Sequence, residues 1–568
     1  MTGAGVSPGN GHGPVKGVGV SPGIGYGPAY VLAERVPEPP VGERYAGEAG
    51  PEKDRVAQAL ERVAAELDRR GERAGGQGRE VLGAQAMMAR DPGLAVEVAA
   101  LVDTGLAAPR AVFEAFQKYR DLLTAAGGYL GERAADLDDI RDRVIAVLTG
   151  VPMPGVPEEA PGGVPYVLVA RDLAPADTAV LSSAVVAAFV TEEGGPTSHT
   201  AILARAMGVP AVVACPGATT LDGNLLVDGG AGLVEREPEP HRVEQVRRAD
   251  AARRRLLAET TGPGRTADGH RVPLLANLGG PADVPAALQA GAEGVGLYRT
   301  EFLFLDRASA PSAREQEEAY RAVLEAFPRG KVVVRTLDSG ADKPLAFLPP
   351  PGEEPNPALG VRGLRMGRHV PEVLTGQLQA LARAAEGTSA QLQVMAPMVA
   401  TAEEAAWFAA ACRTAGLPEA GVMIEIPAAA LRSADLARFV DFFSIGTNDL
   451  AQYAFAADRQ LGVLSDLQDA WQPALLDLVA LAVGGHGRPC GVCGEAAADP
   501  ALACVLAGLG VGSLSMGAAG LPAVRAALAR HTLVQCRAAA AAARAAASGE
   551  QARAAAREHL PGLSELGL

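Results

Sequence analysis

The spacing of apolar residues changes twice along the chain and so outlines its domains. In Val56–Leu67, apolar residues recur every three or four positions, which is the spacing of an amphipathic helix. The same pattern returns in Ala111–Ala126 and Glu132–Leu148, with few strand-like runs between. The region between residues 50 and 150 is therefore predicted to be a helical bundle.

Beyond residue 164, short apolar runs alternate with helical stretches, a pattern typical of α/β domains. A similar run, Tyr26–Leu32, precedes the helical region. We therefore predict that the bundle is inserted between a short N-terminal strand and the rest of an α/β domain. The strand candidates after the bundle are Tyr166–Ala170, Val185–Val190, Ala211–Ala214 and Leu225–Val227.

The C-terminal part contains eight candidates for buried strands, with helical stretches between most of them. They are Val272–Asn277, Gly294–Arg299, Lys331–Thr336, Leu392–Ala396, Val422–Ile426, Phe442–Gly446, Pro489–Cys493 and Ser513–Met516. Eight such strands over roughly 300 residues are typical of a (β/α)8 barrel, whose active site lies at the carboxyl ends of the strands. Polar residues at these ends indicate more than a scaffold, and they are Asn277, Arg299, Arg335, Glu425, Asn448, Asp449 and Cys493.

These changes of pattern predict a multidomain α/β protein. Residues 1–16 are rich in Gly and Pro and are predicted to be disordered. Residues 238–262 are rich in Arg and are predicted to form an exposed linking helix. The other segments are the α/β domain at 17–45 and 150–237, the inserted helical subdomain at 46–149 and the barrel at 263–568.

Composition narrows the classes of partner and the compartment. Of the 568 residues, 48% are hydrophobic and 21% charged, and the formal net charge is -15. This charge argues against nucleic acid or an acidic membrane as a partner, because both select basic surfaces. No signal peptide is recognisable, and no apolar run reaches the roughly 18 residues of a membrane span. Six cysteines are too few for a disulfide scaffold, so we expect a reducing cytoplasm.

A histidine follows a glycine-rich turn in the segment TEEGGPTSHTAILA. Gly194 and Gly195 permit a tight turn, after which Thr197, Ser198 and His199 open a predicted helix. The free N–H groups and the dipole at a helix N-terminus favour an anion, so a ring nitrogen of His199 is suited to carry a phosphoryl group. The alternative is a histidine that only caps the helix or fills the core, but the glycines and flanking hydroxyls favour a phosphohistidine.

Two acidic residues follow successive predicted strands, Glu425 in MIEIPAA and Asp449 in SIGTNDL. Two carboxylates at neighbouring strand ends, together with a substrate phosphate, are typical of a Mg²⁺ site. The alternative is a pair of buried, hydrogen-bonded acids. Basic side chains that suit phosphate or carboxylate are expected around the same rim, namely Arg299, Arg335, Lys343, Arg362 and Arg459.

Cys490 and Cys493 form a Cys-x-x-Cys motif. Such a motif occurs in redox-active sites and as half of a zinc site. No second cysteine pair or histidine cluster supports zinc. Because Cys493 ends a predicted strand near cationic residues, it fits better as a proton donor.

Together these motifs resemble enzyme I of the bacterial sugar phosphotransferase system, the phosphoenolpyruvate-protein phosphotransferase family. The resemblance covers roughly residues 17–540. In the first half it rests on the segments YLGERAADLDDIRDR, DLAPADTA and GGPTSHTAILAR. In the barrel it rests on GVGLYRTEFLF, VVVRTLDSGADKP, NPALGVRGLR, MIEIPAA, FFSIGTNDLAQYAFAADR and CGVCGE.

The resemblance implies a role for each matching residue. His199 would be the phosphorylated residue, and Thr178 would bond and orient its ring. Glu425 and Asp449 would hold Mg²⁺, and Cys493 would protonate the enolate to give pyruvate. The phosphate would be held by Arg299, Arg335 and Lys343 with Arg362 nearby, and the carboxylate by Asn448 and Arg459.

The resemblance also implies partners. The helical subdomain, including Arg133, would dock the phosphocarrier protein HPr, which receives the phosphoryl group from the histidine as the first step of sugar uptake. The barrel would bind phosphoenolpyruvate and form a homodimer. No GAF-like sensor domain precedes the enzyme, which favours the sugar branch over the nitrogen-regulatory branch. Gly83 and Arg90 stand where the resemblance leads us to expect acidic residues.

Two other classes of protein are the alternatives. Pyruvate phosphate dikinase and phosphoenolpyruvate synthase resemble the histidine region and the barrel, but they need a large nucleotide-binding domain where this chain has helical residues 46–149. A catalytically inactive, partner-binding regulator would be expected to have lost a key residue. His199, Glu425, Asp449 and Arg459 are all present.

Overall fold

The computed structural model describes residues 14–32, 36–74, 76–126, 134–151, 155–157, 160–173, 181–182, 184–195, 198–305, 307, 309–340, 345, 347–348, 352, 354–458, 464, 467–484 and 487–566. Within these residues the chain forms two compact units, one ending at Asp250 and the other beginning at Ala251. The division falls inside a helix, Pro240–Glu259, in the segment for which we predicted a linking helix.

The first unit contains a helical bundle where the apolar spacing predicts one. Its helices are α1 (Ala49–Ala74), α2 (Gly76–Ala89), α3 (Pro92–Asp103), α4 (Ala108–Ala126) and α5 (Ala134–Thr149). Apolar residues of α1, such as Val63 and Leu67, are fully buried in one cluster with residues of the other helices. Full burial of a side chain of this size contributes about 1.5–3 kcal/mol.

Helix α3 has a clear start signal that the apolar spacing alone does not reveal. The Asp91 side chain accepts a hydrogen bond from the backbone N–H of Leu94 at 2.9 Å. Pro92 occupies the first turn, where its missing N–H costs no intrahelical bond. A capping acid followed by proline therefore begins a helix that our prediction did not separate from its neighbours.

The rest of the first unit is a mixed sheet that the bundle interrupts in sequence. Its strands are β1 (Val15–Lys16), β2 (Val18–Ser21), β3 (Ile24–Val31), β4 (Tyr166–Ala170), β5 (Val186–Thr191), β6 (Ala211–Val213), β7 (Asn224–Asp228) and β8 (Leu233–Arg236), with helix α6 (His199–Met207) after β5 and helix α7 (Pro240–Glu259) after β8. The strand order is β1-β8-β7-β3-β4-β5-β6-β2. Because β3 pairs in parallel with β4, Ala29 opposite Val167, the bundle is an insertion between neighbouring strands.

The sheet begins inside the segment that we predicted to be disordered. Val15–Lys16 pair antiparallel with Leu233 and Val234. The extension predicted at residues 1–16 is therefore shorter by at least these two residues. Residues 1–13 lie outside the described part of the chain.

The second unit is a closed barrel of parallel strands, as the apolar runs predict. Its strands are β9 (Leu274–Leu278), β10 (Gly294–Arg299), β11 (Lys331–Arg335), β12 (Gln391–Ala396), β13 (Ala420–Ile424), β14 (Phe442–Ile445), β15 (Cys490–Val492) and β16 (Ser513–Met516). Each strand pairs with the next, and β16 pairs with β9, Leu514 opposite Leu274, to close the barrel. Because the strands are parallel, their carboxyl ends share one rim.

Helices between and after these strands surround the barrel. They are α8 (Val284–Gln289), α9 (Glu301–Phe304), α10 (Ala313–Ala326), α11 (Leu364–His369), α12 (Pro371–Ala385), α13 (Ala402–Thr414), α14 (Pro427–Leu431), α15 (Ser433–Leu436), α16 (Thr447–Phe455), α17 (Pro473–Val483), α18 (Pro500–Gly508), α19 (Leu521–Arg530), α20 (Leu533–Ala545), α21 (Gly549–Glu558) and α22 (Gly562–Glu565). Their buried faces pack in a continuous cluster with the outward-facing strand residues.

Several strands end one or two residues earlier than predicted. Glu425, Gly446 and Cys493 were placed inside strands, but β13, β14 and β15 end just before them. These residues stand where the chain leaves the sheet for the rim. The prediction erred by counting rim residues as part of the apolar strands.

A fragment that ends at Glu259 should fold without the barrel, because the bundle and the sheet each bury their own apolar cluster. We expect one cooperative thermal transition in its circular dichroism. Leu67→Ala should destabilise it by about 2–5 kcal/mol, since the truncated side chain leaves a cavity. Val96→Ala, at an exposed position of α3, is the control and should change little. A fragment without a cooperative transition would contradict independent folding.

Candidate functional site

The turn before His199 has the geometry that its glycines predict. Gly194 has a φ of 92°, in the left-handed region that favours glycine. Gly195 accepts a hydrogen bond from the backbone N–H of Ser198 at 3.0 Å. The Ser198 hydroxyl then caps α6 by accepting from the N–H of Ala201 at 3.3 Å. His199 is therefore the first residue of a capped helix, where backbone N–H groups favour an anion.

Some predicted residues of both units lie outside the described part of the chain. For Thr178, Thr197, Lys343, Arg459 and Arg133 this applies to the whole residue. For His199 it applies to the side chain, although its backbone belongs to α6. The roles predicted for these side chains stay predictions.

The barrel brings the remaining predicted residues to one rim. Arg299 and Arg335 are the last residues of β10 and β11. Glu425 follows β13 directly. Asp449 lies not at a strand end but in the first turn of α16, four residues after β14. β10 and β11 are neighbours in the barrel, as are β13 and β14, and only β12 lies between the two pairs. The side chains therefore approach one another on one side of the rim.

Glu425 is a fully buried acid that suits a cation. Its Oε1 accepts from the backbone N–H of Met398 at 2.6 Å, whereas its Oε2 has no hydrogen-bond partner among the described residues. Burial raises the pKa of Glu425 to about 8, with Asp449 and Asp338 adding to the effect. A Cβ at Gly446 would lie 2.9 Å from that Oε2, so glycine keeps the space beside it open.

Asp449 provides the second carboxylate of this cluster. It is 7% exposed, and its Oδ1 lies 3.5 Å from a guanidinium nitrogen of Arg362. Glu425, with a raised pKa and an Oε2 that has no hydrogen-bond partner among the described residues, is costly in its ionised form beside a second buried carboxylate unless a cation joins them. The residues present therefore fit the Mg²⁺ that the sequence predicts.

Arg335 is held by two acids that the sequence analysis missed. A guanidinium nitrogen of Arg335 lies 2.9 Å from Glu301 and another lies 3.6 Å from Asp338. Although burial works in the opposite direction, these two acids raise the pKa of Arg335. The charge is thus permanent, and the guanidinium is fixed in direction.

Arg362 is fixed in the same way. Its Nη2 lies 2.9 Å from Oδ2 of Asp338, and both side chains are 1% exposed. Its Nη1 donates to the hydroxyl of Tyr453 at 3.2 Å. Asp338 therefore lies between Arg335 and Arg362 and orients both.

Glu301 and Asp338 do carry a signal in the sequence. Glu301 follows Arg299 by two residues, and Asp338 follows Arg335 by three. An acid within one turn of a basic residue that ends a buried strand predicts a pair, because a buried cation needs a counter-ion. The rule is correct for Asp338, whereas Glu301 forms its ion pair with Arg335 and not with Arg299.

Arg299 has the opposite electrostatic situation. Burial lowers its pKa, and the positive charge of Arg335 lowers it further. An anion bound between these two arginines would relieve this repulsion. The pair therefore suits an anion rather than a neutral ligand.

Asn448 and Asn277 join the loops of the rim. Asn448 Oδ1 accepts from the backbone N–H of Glu495 at 3.1 Å. Asn277 Nδ2 donates to the carbonyl of Cys493 at 3.0 Å. In this structure the Asn448 carbonyl oxygen serves the loop, while its amide NH₂ is the group that suits a carboxylate.

The two cysteines of the Cys-x-x-Cys motif face different surroundings. Cys493 belongs to the apolar cluster inside the barrel, whereas Cys490 belongs to the outer one. Burial raises the pKa of Cys493 to about 11 and that of Cys490 to about 12. Their location in different clusters disfavours a shared zinc site or a redox pair. In the absence of a metal both thiols stay protonated at neutral pH, and Cys493 thus holds a proton that it could donate at the rim.

Gly83 and Arg90, which stand where the resemblance predicts acidic residues, lie on α2 and just after it. Arg90 forms a two-pronged ion pair with Glu61, at 2.8 and 3.0 Å, and contacts Asp68 at 2.7 Å. Both acids belong to α1. Arg90 therefore ties the end of α2 to α1 and neutralises carboxylates on that face. A Cβ at Gly83 would meet open space.

Among the described residues, none of the helices is both long and apolar enough to cross a bilayer.

Comparison with known families covers nearly the whole chain. Residues 16–133 match the N-terminal domain of PEP-utilising enzymes, residues 163–232 their mobile domain, and residues 253–533 their PEP-binding domain. The three matches follow the helical and sheet parts of the first unit and the barrel of the second.

Curated relatives are similar over most of their length. The phosphoenolpyruvate-protein phosphotransferase of Streptomyces coelicolor is 60% identical over 538 residues, which cover 94% of this chain and 96% of the relative. The protein of the same name from Haloferax volcanii is 42% identical, over 84% of this chain and 86% of the relative. That of Bacillus subtilis is 40% identical, over 69% and 71%. The chain therefore belongs to the PEP-utilising enzyme family and, within it, to the phosphoenolpyruvate-protein phosphotransferases.

Proposed function

We propose that this phosphotransferase accepts the phosphoryl group of phosphoenolpyruvate on His199, passes it to HPr and releases pyruvate as the first step of sugar uptake. The observation that carries the proposal is the rim of the barrel, where two buried carboxylates lie beside three arginines. A small acid that bears phosphate and binds with a divalent cation matches this set of charges.

Glu425 and Asp449 would hold Mg²⁺. When bound, the ion would neutralise charge on the phosphate and on the developing enolate. The free Oε2 of Glu425 and the space beside Gly446 support this assignment.

Arg299, Arg335 and Arg362 would bind the phosphate, with Lys343 completing the set. Arg335 and Arg362 are already oriented by Glu301 and Asp338, so little reorganisation is needed when substrate enters. Asn448 and Arg459 would bind the carboxylate at the other end of the substrate. Fixing both ends leaves the phosphorus open to attack.

His199 would be the nucleophile. Its neutral ring nitrogen attacks phosphorus in line, a N–P bond forms, and the P–O bond to the enolate breaks. The enolate keeps the electron pair of the broken bond and takes a proton at its methylene carbon from the Cys493 thiol. The raised pKa of Cys493 keeps that proton in place at neutral pH.

The finer assignments of partner, oligomer and location belong to the same proposal. HPr would dock on the helical subdomain and receive the phosphoryl group there, with Arg133 in the contact. A homodimer through the barrel follows the resemblance, and two-fold dimers are the commonest oligomers. The six cysteines are all free and buried, which suits a reducing cytoplasm.

His199→Ala should abolish labelling of the protein by radioactive phosphoenolpyruvate in the absence of nucleotide. Wild-type protein should acquire acid-labile phosphate, because a phosphohistidine hydrolyses in acid. His241→Ala, at an exposed position of α7, is the control and should label normally. Label that persists in His199→Ala would place the acceptor elsewhere, and a requirement for nucleotide would favour a dikinase.

The affinity for Mg²⁺ should rise with pH up to about 8 and then level off. Glu425 has a pKa of about 8, so below that pH it must lose a proton before it binds a cation. Calorimetric titrations between about pH 6 and pH 9 would measure this, since the raised pKa lies inside that window. Glu425→Gln should remove both the binding and its pH dependence.

Glu419→Gln is the matched control for Glu425→Gln. Glu419 is exposed and precedes β13 at the other end of the same strand, so its loss should leave Mg²⁺ binding unchanged. Equal Mg²⁺ binding by the wild type and Glu425→Gln would show that this carboxylate does not bind the ion.

Cys493→Ser should slow pyruvate formation by about 100-fold or more, the usual contribution of general acid catalysis, with a smaller change in the KM for phosphoenolpyruvate. A hydroxyl is a much weaker acid than a thiol. Cys490→Ser, in the outer apolar cluster, is the control and should retain most activity. Normal turnover by Cys493→Ser would show that Cys493 only packs in the barrel and does not donate the proton.

A further inference from the structure

Gln377 is a polar residue in an apolar layer of the barrel. It lies on α12, with a fully buried side chain and apolar neighbours along the helix such as Leu378 and Leu381. A buried carboxamide is destabilising unless its hydrogen bonds are made. Its presence in this layer therefore calls for specific partners.

The partners of Gln377 are in the loops that carry the arginines. Its Oε1 accepts from the backbone N–H of Leu337 at 3.0 Å, two residues after Arg335. Its Nε2 donates to the hydroxyl of Thr300 at 3.0 Å, one residue after Arg299. One side chain thus ties together the loops that follow β10 and β11.

The connection reaches Arg335 itself. The Thr300 hydroxyl, which receives the bond from Gln377, donates in turn to the carbonyl of Arg335 at 2.9 Å. Leu337 directly precedes Asp338, the acid that orients Arg335 and Arg362. Gln377 therefore restrains two backbone groups, the N–H of Leu337 directly and the carbonyl of Arg335 through Thr300. It does so without touching the charged side chains.

Other hydrogen bonds also hold this loop, such as the one from the backbone N–H of Asp338 to Oε1 of Glu301 at 2.8 Å. Packing between the loop and the helices beside it is nevertheless incomplete. A cavity of about 20 Å³ lies between it and α11 and α12, lined among others by Thr336, Ser339 and Gln377. The Ser339 hydroxyl makes no hydrogen bond to any described residue. Beside this small gap, the hydrogen bonds of Gln377 join the loop to α12.

We propose that Gln377 is a positioning residue for phosphoenolpyruvate, which sets the spacing of Arg299, Arg335 and Asp338 through the two loops. The inference rests on the proposed function, in which these arginines bind the substrate phosphate. Gln377 itself touches no substrate. Its loss would leave the arginines charged but misplaced.

The test compares KM and kcat for phosphoenolpyruvate in Gln377→Leu, a change that keeps side-chain bulk and removes the carboxamide. We expect KM to rise by about tenfold or more, since small displacements of binding groups are costly, while kcat at saturation falls less. Thermal unfolding is followed in parallel.

Two control variants separate positioning from stability. Leu381→Ala, one turn along on the same face of α12, weakens the core and leaves the hydrogen bonds of Gln377 in place. Tyr320→Phe removes the other acceptor of the Gln377 NH₂ group, a hydroxyl on α10 at 3.1 Å, together with the bond of that hydroxyl to Gln316 at 3.3 Å. Both variants should lower the unfolding temperature and leave KM within about twofold of the wild type, because both keep the bonds of Gln377 to Thr300 and Leu337.

Each outcome decides the inference. A KM for Gln377→Leu within twofold of the wild type overturns it, and so does a rise in Leu381→Ala of the same size as in Gln377→Leu. Arg335→Ala distinguishes this failure from failure of the proposed function. If Arg335→Ala keeps a normal KM, the assignment of phosphate to this rim is wrong. If it loses substrate while Gln377→Leu behaves like Leu381→Ala, only the positioning role is wrong.

Discussion

The ion pair between Asp338 and Arg362 lies almost entirely out of water, with both side chains 1% exposed. Leaving either charge alone in such a place costs about 3–5 kcal/mol, so each residue requires the other. Arg335 adds a second cation and Glu301 a second anion to the same cluster. This mutual requirement fixes the directions of the guanidinium groups before any substrate is present, and the rest of the rim is arranged around it.

Glu425 is the acid of this cluster whose ionised form is poorly compensated. Its neighbours Asp449 and Asp338 are also acidic, and their charge adds to burial in raising its pKa. Arg299 is a cation in the corresponding situation, because burial and then the positive charge of Arg335 disfavour its charged form and lower its pKa. A cation beside Glu425 and a phosphate beside Arg299 would satisfy both at once. The expected preference for a cation and a phosphate thus follows from two local charge imbalances on an otherwise neutralised rim.

In the first unit, ion pairs with neighbouring residues compensate for a residue that departs from the expected sequence. Arg90 stands where an acid is expected, yet it makes a paired contact with Glu61 and reaches Asp68. The exposed face of α1 and α2 is therefore less acidic than its carboxylate content suggests. In our proposal this face belongs to the subdomain that docks HPr, so the partner should meet a surface of altered charge pattern.

The sequence by itself determined the barrel, the inserted bundle and the residues at the strand ends. The spacing of apolar residues indicates which face of an element is buried. A polar residue at the end of a buried strand interrupts that spacing, as Arg335 and Glu425 do. It also predicted the helix at His199, because glycines, a capping hydroxyl and an apolar helix are all local features. None of these requires knowledge of distant contacts.

Only the tertiary structure decided which of these residues meet and how they are held. Gln377 contacts residues 40 and 77 positions away, and the apolar pattern of α12 does not predict these contacts. Cys490 and Cys493 are close in sequence but lie in different apolar clusters, because residues an odd number apart in extended backbone point to opposite faces of the sheet. Only closure of the barrel makes one of these faces its interior. The reason is physical: spacing along the chain specifies one face of one element, whereas hydrogen bonds and ion pairs between elements exist only once the barrel has closed.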